Sequence, residues 1–396
     1  MTVNMGHLMD AELLAALQDR HEHDTYRYRK THLGAQQVNL QRNGQEYLSF
    51  CSNDYLGLAN DLRVKDAFQN AVTEYGVGSG ASHLVNGHTE AHHKLEQELA
   101  EFTGRERVLL FSTGYMANLG VINALVGKQD AVFQDRLNHA SLIDGALLSR
   151  AKLIRYRHND LADLERSLSK STHSRKLIVT DGVFSMDGDQ ACLSGLCHLA
   201  EQYRAWLMVD DAHGFGCYGS QGGGLAEQLQ LGSDRLPILM GTLGKAFGSF
   251  GAFVAGSHTL IETLIQFSRT YIYTTALPPA VAEATRVSLQ ILREEQSRRE
   301  RLTKLIEHFR HYGAELGLPL MPSDSPIQPI LVGEPGKALR LSQHLEANGF
   351  WVTAIRPPTV PVGTARLRIT LTSEHSLDQV TALLNCLAEA YDAEPY

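Results

Sequence analysis

The chain has 396 residues, 43% hydrophobic and 20% charged, with a formal net charge of -8 and 34 glycines. That length exceeds one ordinary compact core and predicts about two domains. The acidic balance offers no electrostatic support for a nucleic-acid partner, and the composition is ordinary for a soluble globular protein.

Within residues 1–20, Asp10, Glu12 and Asp19 interrupt the apolar residues, which is unlike a secretory signal. Residues 10–19 read instead as a short amphipathic helix with Leu13, Leu14 and Leu17 on one face. A basic run at Arg27, Arg29 and Lys30 leads to a strand-like segment ending at Phe50. Short apolar runs then alternate with helix-length segments, at 108–111, 131–133, 177–179, 206–209, 237–240 and 252–255. Uninterrupted runs suit strands buried on both faces of a mostly parallel sheet, where functional groups gather at the carboxyl ends of strands. The most apolar long stretch, 237–256, contains five glycines and Lys245, unlike a membrane span. A cytoplasmic location is the expectation. The charged run 293–301 reads as a solvated helix face. The predicted division is an N-terminal segment 1–50, a large domain 51–285 and a small α/β domain 286–396. The five cysteines are odd in number and lack a CxxC pair, so reduced thiols are expected.

Lys245 is the only charged residue between Pro237 and Gly256. Apolar and glycine neighbours predict a partly desolvated amine of lowered pKa, suited to Schiff-base formation with a carbonyl. A phosphate-binding P-loop is excluded, because position 239 is Leu and position 246 is Ala. Asp210 ends an apolar run and suits the ring nitrogen of a pyridinium cofactor, although a strand-terminal Asp more commonly caps the next element. His213, three residues on, could reach such a cofactor's phenolic oxygen. Ser112-Thr113-Gly114-Tyr115 stands between a strand and a helix, a place for a phosphate on free N–H groups, and Thr242 could add a hydroxyl. His139 is a candidate to stack on the ring; a plain helix-start histidine is as good a reading. His88, His92 and His93 lack the HExxH order of zinc proteases, and no metal site is expected.

Taken together, Ser52-Asn-Asp-Tyr-Leu-Gly57, Asp181-Gly-Val-Phe-Ser-Met-Asp-Gly188, Val209-Asp-Asp-Ala-His-Gly214 and Gly241-Thr-Leu-Gly-Lys-Ala-Phe-Gly248 resemble the α-oxoamine synthases. These are enzymes of pyridoxal phosphate (PLP) with the aspartate-aminotransferase fold, fold type I. They join an amino acid to an acyl thioester with loss of carbon dioxide. The resemblance implies an α/β fold with a mostly parallel central sheet and a smaller C-terminal α/β domain. Residues 351–361 and 363–370 are most similar to the branch that uses L-alanine and a pimeloyl thioester, on acyl carrier protein or coenzyme A, in biotin synthesis.

By the same resemblance Lys245 carries the cofactor, Asp210 faces the ring nitrogen, and His139 stacks on the ring. Ser185 and His213 lie at the phenolic oxygen, while Gly114, Tyr115 and Thr242 hold the cofactor. Thr275 matches a position that reaches the phosphate from the other subunit, implying a homodimer with shared sites. Arg27, Asn53, Arg356 and Thr359 fall where the family contacts substrate. Glycine acetyltransferase, 5-aminolevulinate synthase and serine palmitoyltransferase chemistries are the near alternatives. Aminotransfer on the same fold and a silent binding protein are the further ones. Asp181, where some relatives carry Glu, is given no role.

Overall fold

The computed structural model describes residues 5–393, so what the sequence suggests for the first four and last three residues lies outside that range. The N-terminal helix, α1 (Met5–Glu22), is longer than the ten residues expected. Its Leu13, Leu14 and Leu17 are exposed, so the apolar stripe has no cover among the described residues.

Thirteen strands follow among the described residues. They are β1 (Asn39–Arg42), β2 (Gln45–Ser49), β3 (Arg107–Phe111), β4 (Ala131–Asp135), β5 (Lys152–Tyr156), β6 (Lys176–Asp181), β7 (Trp206–Asp210), β8 (Ile238–Thr242), β9 (Ala252–Gly256), β10 (Ile327–Gly333), β11 (Phe350–Trp351), β12 (Thr353–Ile355) and β13 (Ala365–Thr370). The central sheet has the order β3-β9-β8-β7-β6-β4-β5, parallel throughout except for β9, which runs against both neighbours. Each apolar run supplies both faces of this sheet. Val108, Leu110, Phe133, Ile178, Leu207, Val209, Leu239 and Phe253 enter one core. Leu109, Phe111, Val132, Leu177, Val179, Met208, Met240 and Val254 enter the other, as the period of two requires. The strand without an apolar run, β5, lies at the sheet edge, where Lys152 and Arg155 are exposed.

The main helices beside the site are α2 (Leu62–Tyr75), α3 (Glu90–Thr103), α4 (Gly114–Leu125) and α5 (Ala140–Ser149). The helix Pro279–Glu294 packs on α2 and α3, and the helix Gln296–Glu315 on the helix Leu377–Ala393. A second, antiparallel sheet has the order β10-β13-β12. A third joins the two ends of the chain: β1 and β2 form a hairpin, and β11 adds parallel to β2. Asn43 and Gly44 turn that hairpin with φ of 52° and 77°, the left-handed pair a two-residue turn of this kind demands. All five cysteines are free thiols. No helix among the described residues is long and apolar enough to cross a membrane.

Candidate active site

The carboxyl ends of the parallel strands converge as the apolar runs foretell. Asp181 ends β6 and Asp210 ends β7, paired in register, with both carboxylates buried. Asp210 accepts hydrogen bonds from Asn118 Nδ2 of α4 (2.7 Å) and from the Ala212 N–H (3.0 Å). Asn118 also donates to Ser141 Oγ (2.9 Å), whose hydroxyl lies 2.8 Å from His139 Nδ1. One polar chain thus joins Asp210 to the start of α5. Asp181 accepts the His139 N–H at 2.7 Å, and its N–H reaches Asn138 Oδ1 at 3.2 Å. Burial, with Asp210 as close neighbour, holds the Asp181 carboxyl well above the usual carboxylate range. Sequence reasoning assigned Asp181 no role; here it fixes the backbone from which His139 projects.

Lys245 lies in the turn after β8, half-buried, with Nζ 2.7 Å from His213 Nε2. On the other side of that ring, Nδ1 lies 2.6 Å from the buried Tyr55 hydroxyl, which is 3.3 Å from Asn53 Oδ1. Burial lowers the Lys245 amine from 10.5 to about 8, against the pull of Asp210 and Asp181. Burial, reinforced by the Lys245 charge, also pushes His213 well below its usual value, so this imidazole is neutral. His139 is shifted downward by burial as well. A lysine of lowered basicity beside neutral imidazoles is a nucleophile and proton acceptor near neutral pH.

Thr113 caps α4 by accepting the Met116 N–H at 3.2 Å, which leaves the Gly114 and Tyr115 N–H groups without helical acceptors. A Cβ at Gly114 would come within 2.7 Å of the Met240 terminal methyl, so α4 approaches β8 closely there and a side chain would have to displace that methyl. Thr242 Oγ1 donates to Gly251 O (3.1 Å) and accepts the Gly244 N–H (3.3 Å). Thr275 is beside the same turn, its carbonyl 3.4 Å from Ser112 Oγ.

A cavity of about 270 Å³ is bounded by Lys245, His213, His139, Asn53, Ser185 and Arg368, with Cys51, Thr353 and Ile355 at one side. Those last three also line a cleft of about 580 Å³ that carries Arg27, Lys30, Arg356 and Thr359. Arg27 donates to Thr359 Oγ1 at 3.1 Å, and Arg356 to the carbonyls of Asp24 and Tyr26. The candidates from opposite ends of the chain therefore form one wall, adjoining the Lys245 cavity.

Sequence reasoning missed Tyr55, Asn118 and Arg368. Arg368 donates to Ser185 O (2.7 Å), to Asn53 Oδ1 (3.1 Å) and to Thr370 Oγ1 (2.9 Å), and Arg366 on the same face binds Asp187. The signal was present in Ala365-Arg-Leu-Arg-Ile-Thr370: two arginines in a wholly buried strand must have partners.

A lysine facing a cavity, with buried strand-end carboxylates at the carboxyl edge of an open, mostly parallel sheet, defines a cofactor-dependent transferase of fold type I. The chain belongs to the class I and II aminotransferase family, which it matches over residues 45–387. Within that family its close relatives are 8-amino-7-oxononanoate synthases. That of Saccharophagus degradans is 61% identical over 383 residues, covering 96% of each chain. That of Nitrosococcus oceani is 59% identical over 373 residues, 94% of this chain and 99% of the relative. Among solved structures, serine palmitoyltransferase from S. paucimobilis with a bound PLP–myriocin aldimine superposes with a TM-score of 0.91 at 30% identity, covering 96% and 97% of the two chains. The 8-amino-7-oxononanoate synthase from Francisella tularensis gives 0.78 at 35% identity, covering 87% and 98%.

Proposed function

We propose that the protein condenses L-alanine with a pimeloyl thioester to give 8-amino-7-oxononanoate, carbon dioxide and the free thiol carrier, using PLP. The observation that carries this reading is the Lys245 amine. It has lowered basicity and faces a cavity that opens toward the cleft of Arg27, Arg356 and Thr359.

The residues fit the cofactor's three polar ends. Lys245 offers an amine for the aldehyde, and Asp210 a buried carboxylate for the ring nitrogen. The start of α4, with Gly114, Tyr115 and Thr242, offers donors for the phosphate. His139 would hold the ring, and Ser185 and His213 the phenolic oxygen. When bound, PLP supplies an electron sink for the pair left at Cα.

The chain's own groups do the remainder. Lys245 Nζ takes the Cα proton of L-alanine and returns a proton to that carbon after carbon dioxide has left. His213, neutral and hydrogen-bonded to Nζ, orients the amine without adding a positive charge beside it. Arg27, Asn53, Arg356 and Thr359 bind the substrates. The basic run Arg27, Arg29 and Lys30 would meet an acidic acyl carrier protein.

The active unit we infer is a cytoplasmic homodimer in which Thr275 serves the partner's cofactor. Val77, Leu84, Val85 and Tyr273 are exposed, and the two segments carrying them meet at the hydrogen bond from Ala276 N to Ala81 O (3.0 Å). A division into a large cofactor domain and a small C-terminal domain accords with the separate β10-β13-β12 sheet.

The test is mass analysis of product from purified protein given PLP, L-alanine and each pimeloyl thioester. Alanine with either thioester should yield 8-amino-7-oxononanoate, and Lys245→Ala should yield none. A preference for glycine or serine over alanine would overturn the substrate assignment. Near-normal turnover by the Lys245 variant would overturn the mechanism.

A further inference from the structure

Away from the Lys245 cavity, three histidines meet at the start of α3. The turn His83–Gly87 is π-helical, and a Cβ at Gly87 would come within 2.1 Å of Ala81 O, so glycine is what lets this turn close. The closure brings His83 back onto His88 and His92, with one ring nitrogen from each within 4.8 Å of the others. His83 Nδ1 and His88 Nδ1 are 3.0 Å apart. Two nitrogens on a tetrahedral zinc, each ~2.0–2.1 Å from the ion, are roughly 3.3 Å apart. That pair is already at the right spacing.

The surroundings resemble the outer shell of a metal site. His92 Nε2–H donates to Leu277 O at 2.7 Å, which leaves the lone pair on Nδ1, where it now accepts the Thr89 N–H at 3.0 Å. A backbone carbonyl on the far nitrogen is the usual way a protein fixes a ligating histidine's tautomer. On the far side of His88, Nε2 lies 4.0 Å from Glu96 Oε2, too far for a hydrogen bond but within reach of one after a small shift of either side chain. His83 is stacked on Tyr271, centroids 5.0 Å apart and 11° from parallel, which sets its ring plane.

We propose that His83, His88 and His92 form a binding site for one divalent transition-metal cation that favours imidazole ligands, zinc in type, with Glu96 orienting His88 from behind. The cation replaces the hydrogen bond between His83 and His88 and the cap that Thr89 gives His92, and water completes its coordination. The motif His88-Thr-Glu-Ala-His-His93 alone does not disclose this site, because the ligand His83 lies outside it. The site also braces the segment next to Thr275, since Ser79 Oγ donates to Leu277 O (2.6 Å) and Ala276 N to Ala81 O (3.0 Å).

The test uses cobalt(II) as a spectroscopic probe on metal-stripped, full-length holoenzyme without an affinity tag. Wild type should take up one equivalent with the visible ligand-field bands of tetrahedral cobalt, and zinc should displace it. His83→Gln and His88→Gln should each lose the bands, and Glu96→Gln should bind about tenfold more weakly. Zinc should raise the melting temperature of wild type but not of His83→Gln. Absence of the bands in wild type, or their persistence in both His83→Gln and His88→Gln, would overturn the proposal. So would their loss in His93→Gln with retention in His83→Gln, which would point to the neighbouring His88, His93 and Glu96 group instead.

Discussion

Lys245 Nζ and His213 Nε2 are 2.7 Å apart, and burial keeps this lysine near pH 8 rather than at 10.5. The free amine is the form that captures an aldehyde. The rate of PLP incorporation into apoprotein should therefore rise about tenfold per pH unit below pH 8 and level off above it. Borohydride trapping followed by peptide mapping gives the rate and the site together. A midpoint near 10, or label on another residue, contradicts the assignment.

Tyr55 stands behind His213 as a positioning residue. Its hydroxyl can donate to Nδ1 or accept from it, so the imidazole can change tautomer as Lys245 gains or loses its proton. Tyr55→Phe removes that partner, and sparing a buried N–H favours the tautomer with hydrogen on Nε2. That hydrogen faces Lys245 and opposes the ammonium form. The midpoint of the incorporation profile should fall below 8, and stability should drop by ~1–3 kcal/mol. An unchanged midpoint would reduce Tyr55 to packing.

Arg368 ties β13 to the backbone of Ser185 and the side chain of Asn53. Arg368→Met keeps the bulk and deletes the charge-assisted hydrogen bonds, each worth ~1.5–3 kcal/mol. The loss should appear as a lower urea midpoint at unchanged m-value, and as a raised KM for L-alanine through the displaced Asn53. An Arg368→Met protein as stable as wild type would mean that neither contact matters.

His375 is buried against Phe50, ring centroids 4.2 Å apart, donates to Ser49 O and accepts the Thr372 N–H. Burial takes it from 6.5 to about 4. Between those values the unfolded chain binds a proton that the folded chain does not. Stability should therefore fall as pH drops through this window, by up to ~3 kcal/mol once below about 4. His375→Gln cannot titrate, so its urea midpoint should depend less on pH between 7 and 5 than that of wild type. Equal slopes would exclude His375 as a source of acid lability.

The sheet was legible because six of its seven strands are continuous apolar runs, a pattern that burial on both faces imposes. The strand β5 escaped because an edge position tolerates Lys152 and Arg155. Lys245 and Asp210 stood out as charges set in apolar or glycine-rich surroundings. Tyr55, Asn118 and Arg368 did not, since their part depends on contacts across 158, 92 and 183 residues of chain. His83 was silent for a related reason: a π-turn, rather than sequence spacing, brings it to His88.

The pairing of β2 with β11 has a consequence for synthesis on the ribosome. Leu48 and Ser49 emerge early, yet Phe350 and Trp351, their partners, are translated some 300 residues later, the same span that separates Cys51 from the Trp351 carbonyl. The central sheet can be complete while the β1–β2 hairpin still waits, unpaired at one edge. The wall that joins Arg27 to Thr359 forms no earlier, and since Thr353, Ile355 and Arg368 also bound the Lys245 cavity, a nascent chain completes the lysine pocket and the adjoining cleft together, near the end of synthesis.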